Sequence, residues 1–407
     1  MAGKPAQRAG LQLKFVVGPA GGRVGWFLRS KNFLLINFFI NTMKTHLPFP
    51  KFTVACWRCA LGLGAIASVM VRAQTGSAPV GVMSYAAAEN STISLGVPLL
   101  RPALFTGTVG AVVGAKVTVT LAGAAAGTAR PFAAGESYYL EVIGHVDGTT
   151  TALVGQRYEL DEAATLADSS GQLSLDLASP HNTSPAAALA GLANYRVAVR
   201  PHWTLAALLG TGAKLKLNAA ASAASADQVL AWNGVGFSVY YVRNGDVPQW
   251  RNTATGAASQ DGAILPPGAG LFLRRQAGEL KFAVPGEVRT NVFVRPPFTG
   301  SQIIAGGFPI DSTPADLKLA AGPGLTPGPG LTPGTSPSNS DQLLAWESTA
   351  FNVYYLRDGQ VPQWRNVSTG LLDYSNTAIF QARGASLLLL RAPALGATSL
   401  QMIPFKL

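Results

Sequence analysis

Beyond Ala73 the chain has no cysteine, since the two it carries, Cys56 and Cys59, both precede that point. No disulfide can staple the rest, so ordinary hydrophobic cores must hold it, with length enough for two or three domains. Cys56 and Cys59 form a C-x-x-C pair, which in a strand-helix-strand context would suggest redox or metal chemistry; inside a leader segment it suggests neither. Acidic residues are missing from residues 1–73, where ten Lys and Arg stand. The net charge of +11 belongs almost wholly to that segment, because the remainder holds 21 basic against 20 acidic residues. With no basic stripe beyond residue 73, non-specific phosphate binding loses its electrostatic support, and nucleic acid is not expected as a partner.

Long apolar runs are scarce as well. The run ALGLGAIASVMV from Ala60 to Val71 is 12 residues long, short of the roughly 20 an α-helix needs to cross a bilayer. It follows Lys44, Lys51 and Arg58 and leads into Val71-Arg72-Ala73, the charged, apolar, small-residue order of a secretory signal cleaved after Ala73. No transmembrane helix is expected in the mature chain. FLLINFF from Phe33 to Phe39 is too short to span, and residues 1–42 show no folded pattern. Met43 is therefore expected as the true start, with 1–42 an over-extended beginning; an unusually long signal peptide is the alternative. The expected destination is secreted, extracellular or cell-surface, with the periplasm as the other exported compartment.

Catalytic signatures are absent too. There is no G-x-S-x-G, H-E-x-x-H, P-loop or strand-following G-x-G-x-x-G, and GTVGAVVGAK (Gly107–Lys116) has neither the spacing nor the helix for phosphates. His145, His181 and His202 stand far apart, none in a ligand pair, and no spaced-acid calcium loop occurs, so neither metal nor cofactor is expected. Glu159, Asp161 and Glu162 cluster in YELDEAA. Alternation puts Glu159 and Asp161 on one face, where a solvated edge explains them better than a hydrolase acid pair.

What the chain has is repetition. DQVLAWNGVGFSVYYVRNGDVPQWRN (Asp227–Asn252) and DQLLAWESTAFNVYYLRDGQVPQWRN (Asp341–Asn366) are identical at 17 of 26 positions without a gap. Downstream, GAGLFLRR (Gly268–Arg275) answers GASLLLLR (Gly384–Arg391); upstream, AKLKL (Ala213–Leu217) answers ADLKL (Ala315–Leu319) and VRPHW (Val199–Trp203) answers VRPPF (Val294–Phe298). A unit of this size is a domain rather than a solenoid repeat. Before the copies come strand-like runs, VGVMSY, TISLGVPLL, AKVTVTL and ESYYLEVIG, broken by Gly, Asn and Asp. The expected fold is all-β: tandem β-sandwich or barrel-like modules with an internal duplication. The boundaries are a first β module at 79–190, copy one at 191–288, and copy two at 289–407 with a Pro/Gly-rich surface loop at 320–340.

The repeated word VPQWRN sits in a predicted hairpin. Asn244-Gly245 and Asp358-Gly359 favour a two-residue type I′ turn, which sets Arg243 opposite Asp246, Tyr241 opposite Pro248 and Val239 opposite Trp250. One face then carries Phe237, Val239, Tyr241, Pro248 and Trp250, a core face. The other carries Ser238, Tyr240, Val242, Val247, Gln249 and Arg251. Pro248 and Pro362 predict an edge strand. Trp250, Trp364, Trp232 and Trp346 are expected as packing residues; Arg251 and Arg365 are expected to pair with a carboxylate or a backbone carbonyl. If the word binds a ligand, the candidates are Tyr240, Gln249 and Arg251, and Tyr354, Gln363 and Arg365, whose planar polar groups suit a glycan.

RPHWTLAALLG, DQVLAW, FSVYYVRNG and LPPGAGLFLRR, followed by a second copy, form an ordered series that resembles an uncharacterised family of secreted bacterial β-repeat proteins. The resemblance spans most of residues 79–407 and implies export, mostly β structure and no established activity; it transfers no functional residue. The leading functional expectation is an exported non-enzymatic protein, structural, adhesive or glycan-binding at the cell surface, with a glycan or extracellular protein as partner. A secreted polysaccharide-active or ester-active hydrolase is the alternative, and an outer-membrane β-barrel the second.

Overall fold

Strands form where β-branched and aromatic residues alternate with small or polar ones, and stop at Gly, Pro and Asn clusters. The structure, a computed structural model, describes residues 79–402 apart from 123–131, 150–152, 162–165, 168–171, 178–188, 320–330, 390–397 and a few isolated positions. The expected leader lies outside the described residues. The fold is all-β. In chain order it begins with β1 (Val80–Ala87) and β2 (Thr92–Gly96). Next come β3 (Phe105–Val113), β4 (Lys116–Leu121), β5 (Tyr138–His145), β6 (Arg157–Glu159), β7 (Leu166–Ala167), β8 (Gln172–Asp176) and β9 (Tyr195–Pro201). Then follow β10 (Trp203–Thr204), a short helix α1 (Leu205–Leu209), β11 (Gln228–Trp232), β12 (Phe237–Arg243), β13 (Gln249–Asn252), β14 (Ile264–Leu265), β15 (Gly270–Arg274) and β16 (Leu280–Glu287). The chain closes with β17 (Phe293–Phe298), β18 (Gln302–Ile304), β19 (Gln342–Glu347), β20 (Ala350–Arg357), β21 (Gln363–Asn366), β22 (Ser386–Leu389) and β23 (Thr398–Met402).

Two five-stranded sheets share one plan, β13-β12-β11-β15-β2 and β21-β20-β19-β22-β18. Their antiparallel registers correspond: Val242 opposite Trp250 is answered by Leu356 opposite Trp364, and Leu271, opposite Ala231 and Leu95, by Ser386, opposite Ala345 and Ile304, one residue off the sequence match of GAGLFLRR to GASLLLLR. Ribbon β1–β16, with Tyr85 opposite Phe282, is answered by ribbon β17–β23, with Phe293 opposite Met402. Each repeat thus has the same five-stranded sheet and two-stranded ribbon, and Pro248 and Pro362 flank edge strands as expected.

Strand pairing cuts across the sequence boundaries. β1 and β2, placed by sequence in the first module, complete the first copy, and a seven-stranded sheet of order β6-β5-β9-β3-β4-β8-β7 stands between them and the rest of that copy. The seven-stranded sheet has its own core, with Val109, Val119, Leu140, Leu175 and Val197 fully or almost fully buried. VRPHW and VRPPF are not equivalent: the first ends β9 of the seven-stranded sheet, and the second lies in β17. ADLKL answers α1 instead of AKLKL. Thr204 and Thr313 each accept a bond from the backbone N–H three residues on, and Trp250 and Trp364 donate Nε1 to Gly210 and Leu319 at the ends of these segments, 2.9 Å in both. The loop correspondence changes as well. Asp227 accepts from Asn218 N–H and Asp341 from Thr332 N–H, so 218–226 matches 332–340 residue for residue and the extra length of copy two precedes Thr332.

The hairpin register differs from expectation by an odd number of residues, which turns one strand over. Arg243 pairs with Gln249 and Tyr240 with Asn252, leaving residues 244–248 as a loop in place of a two-residue turn. Tertiary contacts override the Asn-Gly preference: Ala220 forms a parallel bridge to Arg243, Asn244 N–H bonds Ala220 O, and Thr211 Oγ1 donates to Pro248 O. Gly245 and Gly359 do not take the positive φ that a type I′ turn requires. Trp250 and Trp364 are fully buried as expected, but beside Val242 and Leu356; Phe237 and Phe351, expected in the core, are 40% and 36% exposed.

Candidate functional site

Each residue of QWRN has a structural partner. Trp250 lies in one hydrophobic core with Val242, Leu209 and Leu273, and Trp364 in another with Leu356, Leu319 and Phe308. Arg251 donates to Gln249 Oε1 at 2.8 Å and Arg365 to Gln363 Oε1 at 3.0 Å; Arg365 also bonds Gly370 O at 3.1 Å. Arg365 thus meets a backbone carbonyl, one of the two expected partners, whereas for Arg251 the neighbouring Gln249 amide stands in place of a carboxylate or carbonyl. Asn252 and Asn366 cap the following turn by accepting Ala254 N–H and Ser368 N–H, 2.8 Å each. Of the candidates, Gln249 and Arg251 share a face, as do Gln363 and Arg365. Tyr240 and Tyr354 lie on the opposite, core-facing side, packed in the two copies' cores. Residues Tyr241 and Tyr355 stand opposite Arg251 and Arg365 instead. The Nε atoms of Arg251 and Arg365 have no partner, and neither residue lines the cleft at the junction of the two copies.

The two copies meet through reciprocal contacts. Trp232 of the first copy donates Nε1 to Ser301 O of the second at 2.6 Å, and Trp346 of the second donates Nε1 to Thr92 O of the first at 2.8 Å. Gly96 N–H bonds Arg383 O, and Ala305 N–H bonds Gly268 O, at 2.8 and 3.0 Å. This is the pattern of an isologous interface, here inside one chain. Phe272, Ile303, Ala305 and Ala385 are buried in it. An edge-to-face aromatic row, Trp232–Phe237–Phe272–Phe351–Trp346, runs across it with neighbouring centroids 4.9 to 5.9 Å apart. Trp232 and Trp346 are therefore partly buried junction residues instead of core residues within single copies.

On one side of this junction lies a cleft of about 410 Å³. The ribbon end and β2 of the first copy supply Ser84, Tyr85, Thr92 and Ser94; the second copy supplies Trp346, Glu347, Gln381 and Arg383. Trp346 is fixed by its bond to Thr92, so the indole offers its ring and not its N–H. Arg383 donates Nη1 to Ser84 O at 2.8 Å, bracing the cleft across the two copies. Among the described residues the Glu347 carboxylate and the Gln381 amide make no hydrogen bond or ion pair. Tyr85 donates to Gly96 O at 2.7 Å, and burial pushes its phenol well above the ordinary range, so it stays neutral. The set joins an aromatic ring with planar donors and acceptors, the chemistry of hydroxyl-rich ligands.

Charges also gather where the seven-stranded sheet meets the first copy, but that cluster is closed. Glu141 is fully buried and pairs with Arg200 at 3.0 Å and with Arg289, while Arg200 also pairs with Glu287. Burial holds the Arg289 guanidinium down to about 10. His202 lies tilted against Tyr139, ring centroids 4.6 Å apart, and its Nε2 meets Glu159 Oε2 at 2.6 Å, so Glu159 of the YELDEAA cluster is committed to a hydrogen-bond partner. His145 instead meets Asp147 at 2.6 Å, and His181 lies outside the described residues. No group of three or more His, Cys, Asp and Glu able to hold a metal occurs among the described residues. Nor is any helix among them long and apolar enough to cross a membrane.

The cleft was missed in the sequence because its walls come from positions far apart, 84–94 and 346–383. One signal was present: within the matched block Trp232 is followed by Asn233, while Trp346 is followed by Glu347. Comparison of the chain with protein-family models, curated proteins and solved structures finds no match.

Proposed function

We propose that the protein is an exported, non-enzymatic β-repeat protein that recognises a glycan at the cell surface, and that the junction cleft is where it does so. The observation that carries this reading is the cleft itself: Trp346 held with its ring in the wall, beside unpaired planar polar groups on Glu347 and Gln381. An acid pair, a nucleophile with its base, or a metal would be needed for a hydrolase; the cleft offers one carboxylate, Glu347, among its lining residues. Walls drawn from both copies give the duplication a role, since neither copy builds the cleft alone.

The test is a binding screen of the purified protein on immobilised polysaccharides and extracellular-matrix proteins, beside Gln381→Ala. Retention on a glycan that Gln381→Ala weakens, with the melting temperature unchanged, supports the reading. Retention on matrix proteins alone, or on no surface, overturns it. Fractionation of the source cells tests export, with recovery in the cytosol as the contrary result.

A further inference from the structure

The two copies should build two clefts, one on each side of the junction; the one beside Trp346 is open, and the one beside Trp232 is occupied. Matching bonds identify the counterpart: Trp232 answers Trp346, Ser301 answers Thr92, and Gly268, which accepts Ala305 N–H, answers Arg383, which accepts Gly96 N–H; Phe293 and Val294 stand in the ribbon of copy two that answers β1–β16. There the seven-stranded sheet intrudes. Arg157 of β6 donates to Pro267 O at 3.0 Å and to Val294 O at 3.3 Å, its guanidinium 5.7 Å from the Phe293 ring centroid. Gly155 fits so closely that a Cβ there would strike Val292 O and stand 2.9 Å from Val294 Cγ2. Arg295 of β17 lies there too, donating to Gly268 O at 3.1 Å, Ile303 O at 2.9 Å and Gln302 Oε1 at 3.2 Å, so the seven-stranded sheet and copy two's own Arg295 together fill the counterpart while the cleft beside Trp346 stays open.

The open cleft also has a chemical bias. Glu347 can only accept and Arg383 can only donate, with one guanidinium nitrogen already spent on Ser84 O. Gln381 does both, and Ser84, Ser94 and Thr92 add hydroxyls. A neutral diol satisfies a carboxylate and a guanidinium together, whereas an anionic group near Glu347 is repelled and a cationic one meets Arg383. Trp346 supplies a pre-set ring face, which lowers the ordering cost of binding.

Resting on the glycan reading above, we propose that this cleft is a single site per chain for a neutral, hydroxyl-rich sugar unit, and that its counterpart is plugged by Arg157 of the seven-stranded sheet together with Arg295 of β17.

The experiment is calorimetric titration of the purified protein with three oligosaccharide sets, neutral, uronate-containing and sulfated, repeated with Glu347→Gln and Gln381→Ala. The expected result is saturation at one neutral oligosaccharide per chain, with affinity about tenfold lower in each variant, as for loss of a hydrogen bond in which a charged or planar partner takes part, at unchanged melting temperature. Binding of the charged sets alone overturns the neutral class while leaving glycan recognition standing. Two equivalents per chain overturn the plugged counterpart. Binding that neither variant weakens places the sugar elsewhere and overturns the site, and failure of all three sets overturns the glycan reading with it.

Discussion

At the residue scale, the side chains of VPQWRN divide cleanly by task. Trp250 and Trp364 have no exposed surface and each donates Nε1 to a backbone carbonyl. Truncation to alanine therefore opens a large cavity and orphans a carbonyl, and is expected to cost about 3–5 kcal/mol, read as a shifted denaturant midpoint. Arg251→Ala removes one partly exposed bond to Gln249 and should move the midpoint by less than about 1 kcal/mol. A second residue-scale expectation concerns Asp147, whose carboxylate accepts the Thr149 N–H at 2.9 Å and its hydroxyl at 2.7 Å and also meets His145. These bonds, that of the Thr149 N–H foremost, hold its carboxyl down to about 2. A depressed carboxylate favours the folded form above its unfolded value, and that contribution fades as pH falls toward 2. Carboxyl NMR should thus follow Asp147 titrating near 2, and Thr149→Ala should raise the midpoint.

At the element scale, the repeated block is a machine for closing one sheet edge. Asp227 is fully buried, accepting Asn218 N–H and Gln276 N–H at 2.8 Å each and pairing with Arg275; Asp341 accepts Thr332 N–H at 2.7 Å in the same place. The DQ that opens each block is thereby explained as the tie between a loop and its sheet. Glycines matter where sheets approach. A Cβ on Gly270 would strike Ala385 and stand 2.5 Å from Ile303, while one on Gly236 would meet nothing within 4 Å. Gly270→Ala should lose about 1–3 kcal/mol through overpacking, and Gly236→Ala should leave thermal stability nearly unchanged; a calorimetric scan of both checks the pair. Register shows the limit of local signals here. Asn-Gly and Asp-Gly pointed to a tight turn, but bonds from residues 220 and 334 spread the loop and inverted one strand, which exchanged Tyr240 for Tyr241 and Tyr354 for Tyr355 on the Gln-Arg face.

At the scale of the whole molecule, the described residues belong to one compact unit in which the copies are locked by exchanged indole bonds. Trp232→Phe and Trp346→Phe each keep a ring and remove one bond, at about 1–2 kcal/mol apiece. Because both bonds close the same junction, the double variant should lose more or less than the sum, and a double-mutant cycle by denaturant titration measures that difference. Additive losses would show that the two contacts act independently.

The sequence by itself determined the all-β class, the burial of Trp250 and Trp364, the edge position of their strands and the near-neutral charge beyond residue 73. These follow from composition and from two-residue periodicity, which are local. Tertiary structure alone decided which hairpin face looks outward, that β1 and β2 complete the first copy, and that a cleft opens between Thr92 and Trp346. Those depend on pairings between residues distant in the chain, from Ala220 with Arg243 to Thr92 with Trp346, whose partners are chosen by burial and shared hydrogen bonds and leave no periodic trace in the sequence.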